Sequence, residues 1–212
     1  MAVDFQKLTS TPTAAYAEAL KFFGGTGMIN DALTRLASDL ERNNIDYVLV
    51  GALALNQHGF QRLTVDIDLL MSRESLARFN DNLVGLGYRP AFDGAKKRFR
   101  TTAENIPVDI ITSGEFPGDG KPKPVAFPDP AAVTVMIDGI KTITLEKLIE
   151  LKLASGMTAG DRIKDLGDVQ EMIKVKSLDS SFAERLDPYV RAKYLELLAG
   201  VEAASDRRDA ID

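Results

Sequence analysis

Two aspartates, Asp66 and Asp68, stand two residues apart in the run TVDIDLLM, residues 64–71. The rest of the run is mostly apolar and reads as a buried strand. Alternation along a strand puts both carboxylates on one face, with Thr64 and Leu70, and their β-carbons roughly 6–7 Å apart. Without a partner two such charges repel, and burying them is costly. A fold built around this run has to end the strand in water or bring a cation to its face.

The flanking sequence says what surrounds the run. DYVLVG reads as a buried strand ending on Gly51, residues 52–58 as a short helix, and Gly59 as its stop. Upstream, Pro12–Phe23 reads as a helix broken by GGTG, and Ile29, Leu33, Leu36, Ala37 and Leu40 mark a second helix that Asn43 and Asn44 end. Residues 1–11 are expected to be poorly ordered. Ser72 opens a helix to about Gly85, with Leu76, Phe79, Leu83 and Leu86 on one side. KKRFRT and PVDIIT are two further strands, and AVTVMI and IKTI form a pair turned at Asp138 and Gly139. Between them, residues 113–130 carry five prolines and three glycines, a loop of the length that is usually functional or disordered.

From Thr144 the pattern turns helical. Thr144 is placed to cap a helix with Leu145, Leu148, Ile149, Lys152 and Leu153 on one side. Asp161 opens the next, with Leu166, Val169, Met172 and Ile173, and residues 188–204 form the last before a fraying tail. The expected class is α+β: a mixed sheet flanked by helices, then a C-terminal helical region. The expected divisions are a helical extension over 1–27, a core over 28–143 and helices over 144–212.

Composition narrows the chemistry. With one histidine and no cysteine, a disulfide framework and a typical zinc site are excluded as expectations. A metal in this chain should be a hard one with oxygen ligands, magnesium or manganese. The net charge of −5 argues against a general nucleic-acid binder but leaves room for a local basic groove. No segment is apolar for long enough to span a bilayer, and the N-terminus lacks the order of a signal peptide, so the expected location is the cytoplasm, with no membrane partner.

Asp109, in PVDIIT, is a third strand carboxylate. If its strand lies beside that of Asp66, three oxygen ligands converge in a way that suits magnesium holding phosphates. The plainer reading has the three at strand ends facing water. Gly51 and Ala52 sit where a strand meets a helix, so backbone N–H groups there can approach a phosphate; small residues there also let helix and strand pack. Arg62 reaches toward the same place or simply faces solvent. Lys152 lies on the apolar side of its helix, available to a triphosphate or snorkelling from the rim. Asp161, Asp165 and Asp168 recur at i, i+4 and i+7, as a site or as a solvated acidic face. His58 caps or packs its short helix, or touches a ligand. Lys96, Arg98 and Arg100 share one strand face, with Lys97 on the other. Phe116 and Phe127 lie in the loop, as a lid or as core.

The spacing from Gly51 and Ala52 to Asp66-x-Asp68 resembles the nucleotidyltransferase superfamily of the DNA polymerase β type. The later motifs are similar to one branch, the abortive-infection type E toxin (AbiEii-like) nucleotidyltransferases. Leu145, Leu148 and Lys152 fit its apolar-x-x-apolar-x-x-x-Lys motif, and Asp165, Asp168, Val169 and Met172 fit Asp-x-x-Asp-apolar-x-x-apolar. The similarity covers about residues 45–173. It departs at Ala52, where the superfamily has glycine or serine, and at the Pro/Gly-rich loop. The resemblance implies a nucleotidyltransferase-like mixed sheet and a magnesium-dependent transfer of a nucleoside monophosphate from a nucleoside triphosphate to an acceptor hydroxyl. It implies metal-holding roles for Asp66, Asp68 and Asp109, Asp109 also serving as a candidate base. Lys152 would neutralise the triphosphate, and Asp165 and Asp168 would orient it or the nucleotide. It also implies an RNA acceptor such as tRNA and a partner antitoxin. Two alternatives stay open: transfer to a small molecule or protein, and a nucleotide-binding or partner-binding module with impaired catalysis.

Overall fold

The computed structural model describes residues 4–209. The chain folds as two compact units. The first comprises Met1–Gln57, Gln61–Ser113 and Asp129–Ile143; the second comprises His58–Phe60, Gly114–Pro128 and Thr144–Asp212.

The first unit holds helices α1 (Phe5–Leu8), α2 (Pro12–Phe23), α3 (Met28–Arg42), α4 (Gly51–Gln57) and α5 (Arg73–Asn82). Its strands are β1 (Val48–Leu49), β2 (Ile67–Met71), β3 (Tyr88–Pro90), β4 (Arg98–Thr101), β5 (Pro107–Thr112), β6 (Thr134–Ile137) and β7 (Ile140–Ile143). They form one seven-stranded sheet in the order β3-β4-β5-β2-β1-β7-β6. The pairs β2–β5 and β1–β7 are parallel and the others antiparallel, so the sheet is mixed and the class is α+β, as expected.

The helices form where their apolar spacing and caps ask for them. In α3, Ile29, Ala32, Leu33, Leu36, Ala37 and Leu40 are buried along one stripe. The Ser72 side chain accepts from Ser75 N–H and starts α5, which buries Phe79 against the rings of Phe99 and Tyr88 at 4.8 and 5.5 Å. Asp138 and Gly139 both take positive φ, the type I′ pattern that closes the β6–β7 hairpin.

Several expectations shift. The strand expected over 64–71 starts at Ile67, leaving Asp66 just ahead of it. In the β2–β5 register Ile67 faces Val108, so the next partner of Asp66 is Pro107, which has no N–H to offer a ladder. The strand over DYVLVG shrinks to two residues because Gly51 turns the chain at φ +66. The short strand β3 has no periodic signal in three residues. Residues 4–11 are not poorly ordered throughout: Asp4 caps α1, Phe5 is buried, and Phe5 N–H donates to the Glu104 carbonyl at 2.7 Å. Residues 1–3 of that expected segment lie outside the described residues.

The second unit holds α6 (Leu145–Thr158), α7 (Ile163–Lys176) and α8 (Pro188–Asp209), with 3-10 turns at Gly160–Arg162 and Ser180–Arg185. Thr144 precedes α6 without a side-chain capping bond. The final helix runs through Asp209, beyond the expected end at 204, and residues 210–212 of the tail lie outside the described residues. Phe182, Leu186, Val190 and Tyr194 bury α8 and the turn before it. Among the described residues no helix is long and apolar enough to cross a membrane.

Candidate active site

The sheet of the first unit sorts its side chains by alternation. Ile67, Leu69 and Met71 of β2, Val108, Ile110 and Thr112 of β5 and Phe99 of β4 lie on the buried face. The other face carries a row across three strands. Arg98 faces Asp109 in the β4–β5 register, and Asp109 faces Asp68 in the β5–β2 register. Direct partners in neighbouring strands share a face, so a guanidinium and two carboxylates stand side by side.

The row ends at Gly51. Val50 N–H donates to the Asp68 carbonyl at 3.0 Å, which brings the turn into α4 against β2. A β-carbon at Gly51 would lie 2.0 Å from Asp68 Oδ2. Together with φ +66, that leaves glycine alone able to stand there without strain. Ala52, the next residue, is buried.

Asp66 joins the row from its position two residues before Asp68. Its charge adds to the forces that raise the pKa of Asp109 above the usual carboxylate range: burial first, then the Asp66 carboxylate, opposed by Arg98 and Arg100. The Thr64 hydroxyl donates to Asp66 Oδ1. Arg62 is pinned through its backbone, its N–H donating to Asn56 Oδ1 at 2.7 Å and its carbonyl accepting from Asn56 Nδ2 at 2.8 Å. Asn56 lies on α4, so one amide fastens the approach to Asp66 onto the helix that Gly51 begins.

The donor set suits a hard divalent ion: three carboxylates, each half-buried, on or next to one sheet face. Among the described residues no three His, Asp or Glu side chains are gathered closely enough to hold an ion as they stand. Asp66 is turned onto the Thr64 hydroxyl.

The second unit places the remaining candidates. Lys152 is buried, not snorkelling, and its ammonium donates to Asp165 at 3.0 Å and Asp168 at 2.7 Å. Both partners come from the next helix, α7. Ser155 Oγ donates to Asp165 Oδ2 at 2.7 Å. Burial works against the Asp165 carboxylate, but Lys152, Ser155 and Arg162 outweigh it and hold its pKa below the ordinary value. Asp165 and Asp168 thus form a buried ion cluster, while Asp161 is exposed in the 3-10 turn, so the even acidic face of the i, i+4, i+7 spacing does not form. His58 is buried in this unit.

The Pro/Gly-rich loop is tied down. Two backbone bonds cross its neck, Gly114 N–H to the Phe127 carbonyl and Phe127 N–H to the Glu115 carbonyl, each at 2.8 Å. Lys123 donates to the Pro117 carbonyl, to Asp119 and, at 3.1 Å, to Thr158 of α6. Sequence reasoning passed over Asn56, Ser155 and Lys123. The available signal for Ser155 was its place one turn after Lys152.

Residues 31–211 match the family model described as "Nucleotidyl transferase AbiEii toxin, Type IV TA system". The chain belongs to this family and is a nucleotidyltransferase. No curated protein matches it. Among solved structures it is similar to ANT(2")-Ia in complex with adenylyl-2"-tobramycin, at 15% identity and TM-score 0.48 over 75% of this chain and 92% of that one. It is similar to JHP933 from Helicobacter pylori at 18% identity and TM-score 0.44, covering 85% and 95%. It is also similar to an antigenic nucleotidyltransferase-like protein from Paracoccidioides brasiliensis, at 16% identity and TM-score 0.45, covering 68% and 74%.

Proposed function

We propose that the protein transfers a nucleoside monophosphate from a nucleoside triphosphate to a hydroxyl of an RNA acceptor, such as tRNA, and releases pyrophosphate. One observation carries this reading: Asp68 and Asp109 are direct cross-strand neighbours, with Gly51 packed against the Asp68 carboxylate. In the transfer, the acceptor oxygen attacks the α-phosphorus as the bond to the bridging oxygen of the β-phosphate breaks. Asp109, whose pKa is raised, is suited to take the hydroxyl proton on a carboxylate oxygen. Backbone N–H groups at Gly51 and Ala52 would meet phosphate oxygens beside Asp68, and Arg62 and Arg98 would supply positive charge to them.

Asp66, Asp68 and Asp109 are the residues that would hold magnesium or manganese, an ion that neutralises phosphate charge and lowers the pKa of a bound hydroxyl. In the second unit, Lys152 is the candidate cation for a nucleotide phosphate, held in orientation by Asp165 and Asp168. Residence in the cytoplasm supplies the nucleotide and the ion, and the family description suits control by a partner antitoxin.

The test is incubation with labelled nucleoside triphosphates and cellular RNA, followed by separation of RNA, protein and small-molecule fractions. Label is expected in RNA, at least about a hundredfold lower with Asp68→Asn. Label confined to another fraction, or unchanged transfer by Asp66→Ala and Asp68→Asn, would overturn the assignment.

A further inference from the structure

The first unit contains a cavity of about 250 Å³ that none of the proposed reaction steps uses. Phe5, Phe22, Ala15 and Ala19 wall it, and Leu63, Thr64 and Val65 close it on the side of Asp66. The volume falls just below the roughly 300–1,000 Å³ of pockets that take drug-sized ligands, so it suits one or two fused rings. Its walls are apolar and two are aromatic. Its polar groups are few: the hydroxyls of Thr9 and Thr64 and the carboxylate of Glu18, which is itself only 6% exposed. Glu18 Oε1 accepts from Met28 N–H at 2.6 Å, which fixes the carboxylate in the wall. Leu63 and Val65 at the rim are 51% and 55% exposed, so apolar surface is left uncovered at the mouth.

Two observations connect this cavity to the carboxylates. Thr64 both lines it and donates its hydroxyl proton to Asp66, so one side chain separates the cavity from that carboxylate. Asp66 in turn stands two residues before Asp68, the direct cross-strand neighbour of Asp109. The cavity therefore adjoins the carboxylate row at Asp66.

We propose that this pocket, built by α1, α2 and residues 63–65, seats an unpaired heterocyclic base of the acceptor strand. The inference rests on the transfer reading given above and adds a subsite to it. Unpaired RNA bases are recognised by stacking on aromatic side chains and by hydrogen bonds at their edges, and the pocket offers both. Phe5 and Phe22 supply the rings, and the hydroxyls of Thr9 and Thr64 supply acceptors for ring and exocyclic N–H groups, while the Glu18 carboxylate is held by Met28 N–H and Lys21. Seated there, the base holds its strand with a ribose hydroxyl directed past Thr64 toward Asp66. Thr64 becomes a positioning residue, holding Asp66 where base and carboxylate meet.

The test uses the full chain and single-stranded RNA tetranucleotides carrying each of the four 3′-terminal bases. Binding is measured by NMR without nucleoside triphosphate, and transfer with it. Ala19→Phe fills the cavity, and Leu63→Asp puts a charge on its exposed rim without burdening the core. Both variants are expected to weaken tetranucleotide binding and raise the acceptor KM by about tenfold or more, the scale of one lost base stack. Affinity for the magnesium nucleoside triphosphate should stay unchanged. Tetranucleotide binding that neither variant alters overturns the pocket, even if transfer to RNA is observed. Weakened triphosphate affinity with an unchanged acceptor KM also overturns it, because it gives the pocket to the nucleotide's own base. Absence of transfer by the unmodified protein, with tetranucleotide binding that both variants weaken, overturns the transfer reading and leaves the base pocket standing.

Discussion

At the scale of single residues, Gly51 and Asp68 are bound to each other more tightly than either is to any sequence rule. A β-carbon at position 51 meets Asp68 Oδ2 at 2.0 Å, and the backbone there has φ +66. Gly51→Ala should lose about 1–3 kcal/mol of stability to backbone strain, read from the urea midpoint. It should also slow transfer by about a hundredfold or more, because the carboxylate is pushed out of line. In an Asp68→Ala background the stability loss should shrink, since the carboxylate it collides with is gone; a double-mutant cycle measures the difference. Asp165 gives a prediction in pH. Its pKa is held below the ordinary 3.8, so its contribution to stability is fully present above that value and is lost as pH falls through the depressed one. Between about pH 5 and about pH 3, the urea midpoint of the wild type should fall further than that of Asp165→Asn.

At the scale of elements, residues 114–128 are held by bonds that composition hides. Prolines and glycines cluster there, yet the backbone bonds at Gly114 and Phe127 close the neck and Lys123 closes the tip. Gly118 lies so close to α6 that a β-carbon would meet Thr158 Oγ1 at 2.3 Å. Lys123→Ala should speed amide exchange across the loop while leaving α6 protected, a local opening that mass spectrometry resolves. The same elements show what was legible in advance. The strands PVDIIT and IKTI and the helices α2, α3 and α6 follow from alternation or helical spacing within a few residues. The beginning of β2 does not, because it depends on Pro107 in another strand, about 40 residues later. Lys152, Asp165 and Asp168 stood out as residue types at motif spacing, but their burial as one cluster depends on the packing of α6 against α7. Asn56 was invisible because its two partners belong to the backbone of Arg62, and a backbone group leaves no trace in sequence.

At the scale of the whole molecule, the two units interleave along the chain. His58–Phe60 and Gly114–Pro128 belong with the helices though they interrupt the sheet-forming segments. Periodicity reads neighbours along the chain, and so has no means of assigning these short pieces. The sheet order has a consequence for synthesis. Strand β1 sits between β2 and β7, and Leu49 takes Thr142 as its parallel partner. Asp68 and Asp109 can pair once β5 has left the ribosome, but the strand that leads into Gly51 lacks its second neighbour until residue 143 has emerged. Long-range parallel pairings of this kind form late and slowly. A nascent chain therefore carries its carboxylates in an unfinished frame until the last hairpin emerges, and a ribosome that stalls before that point releases a fragment without a completed central strand.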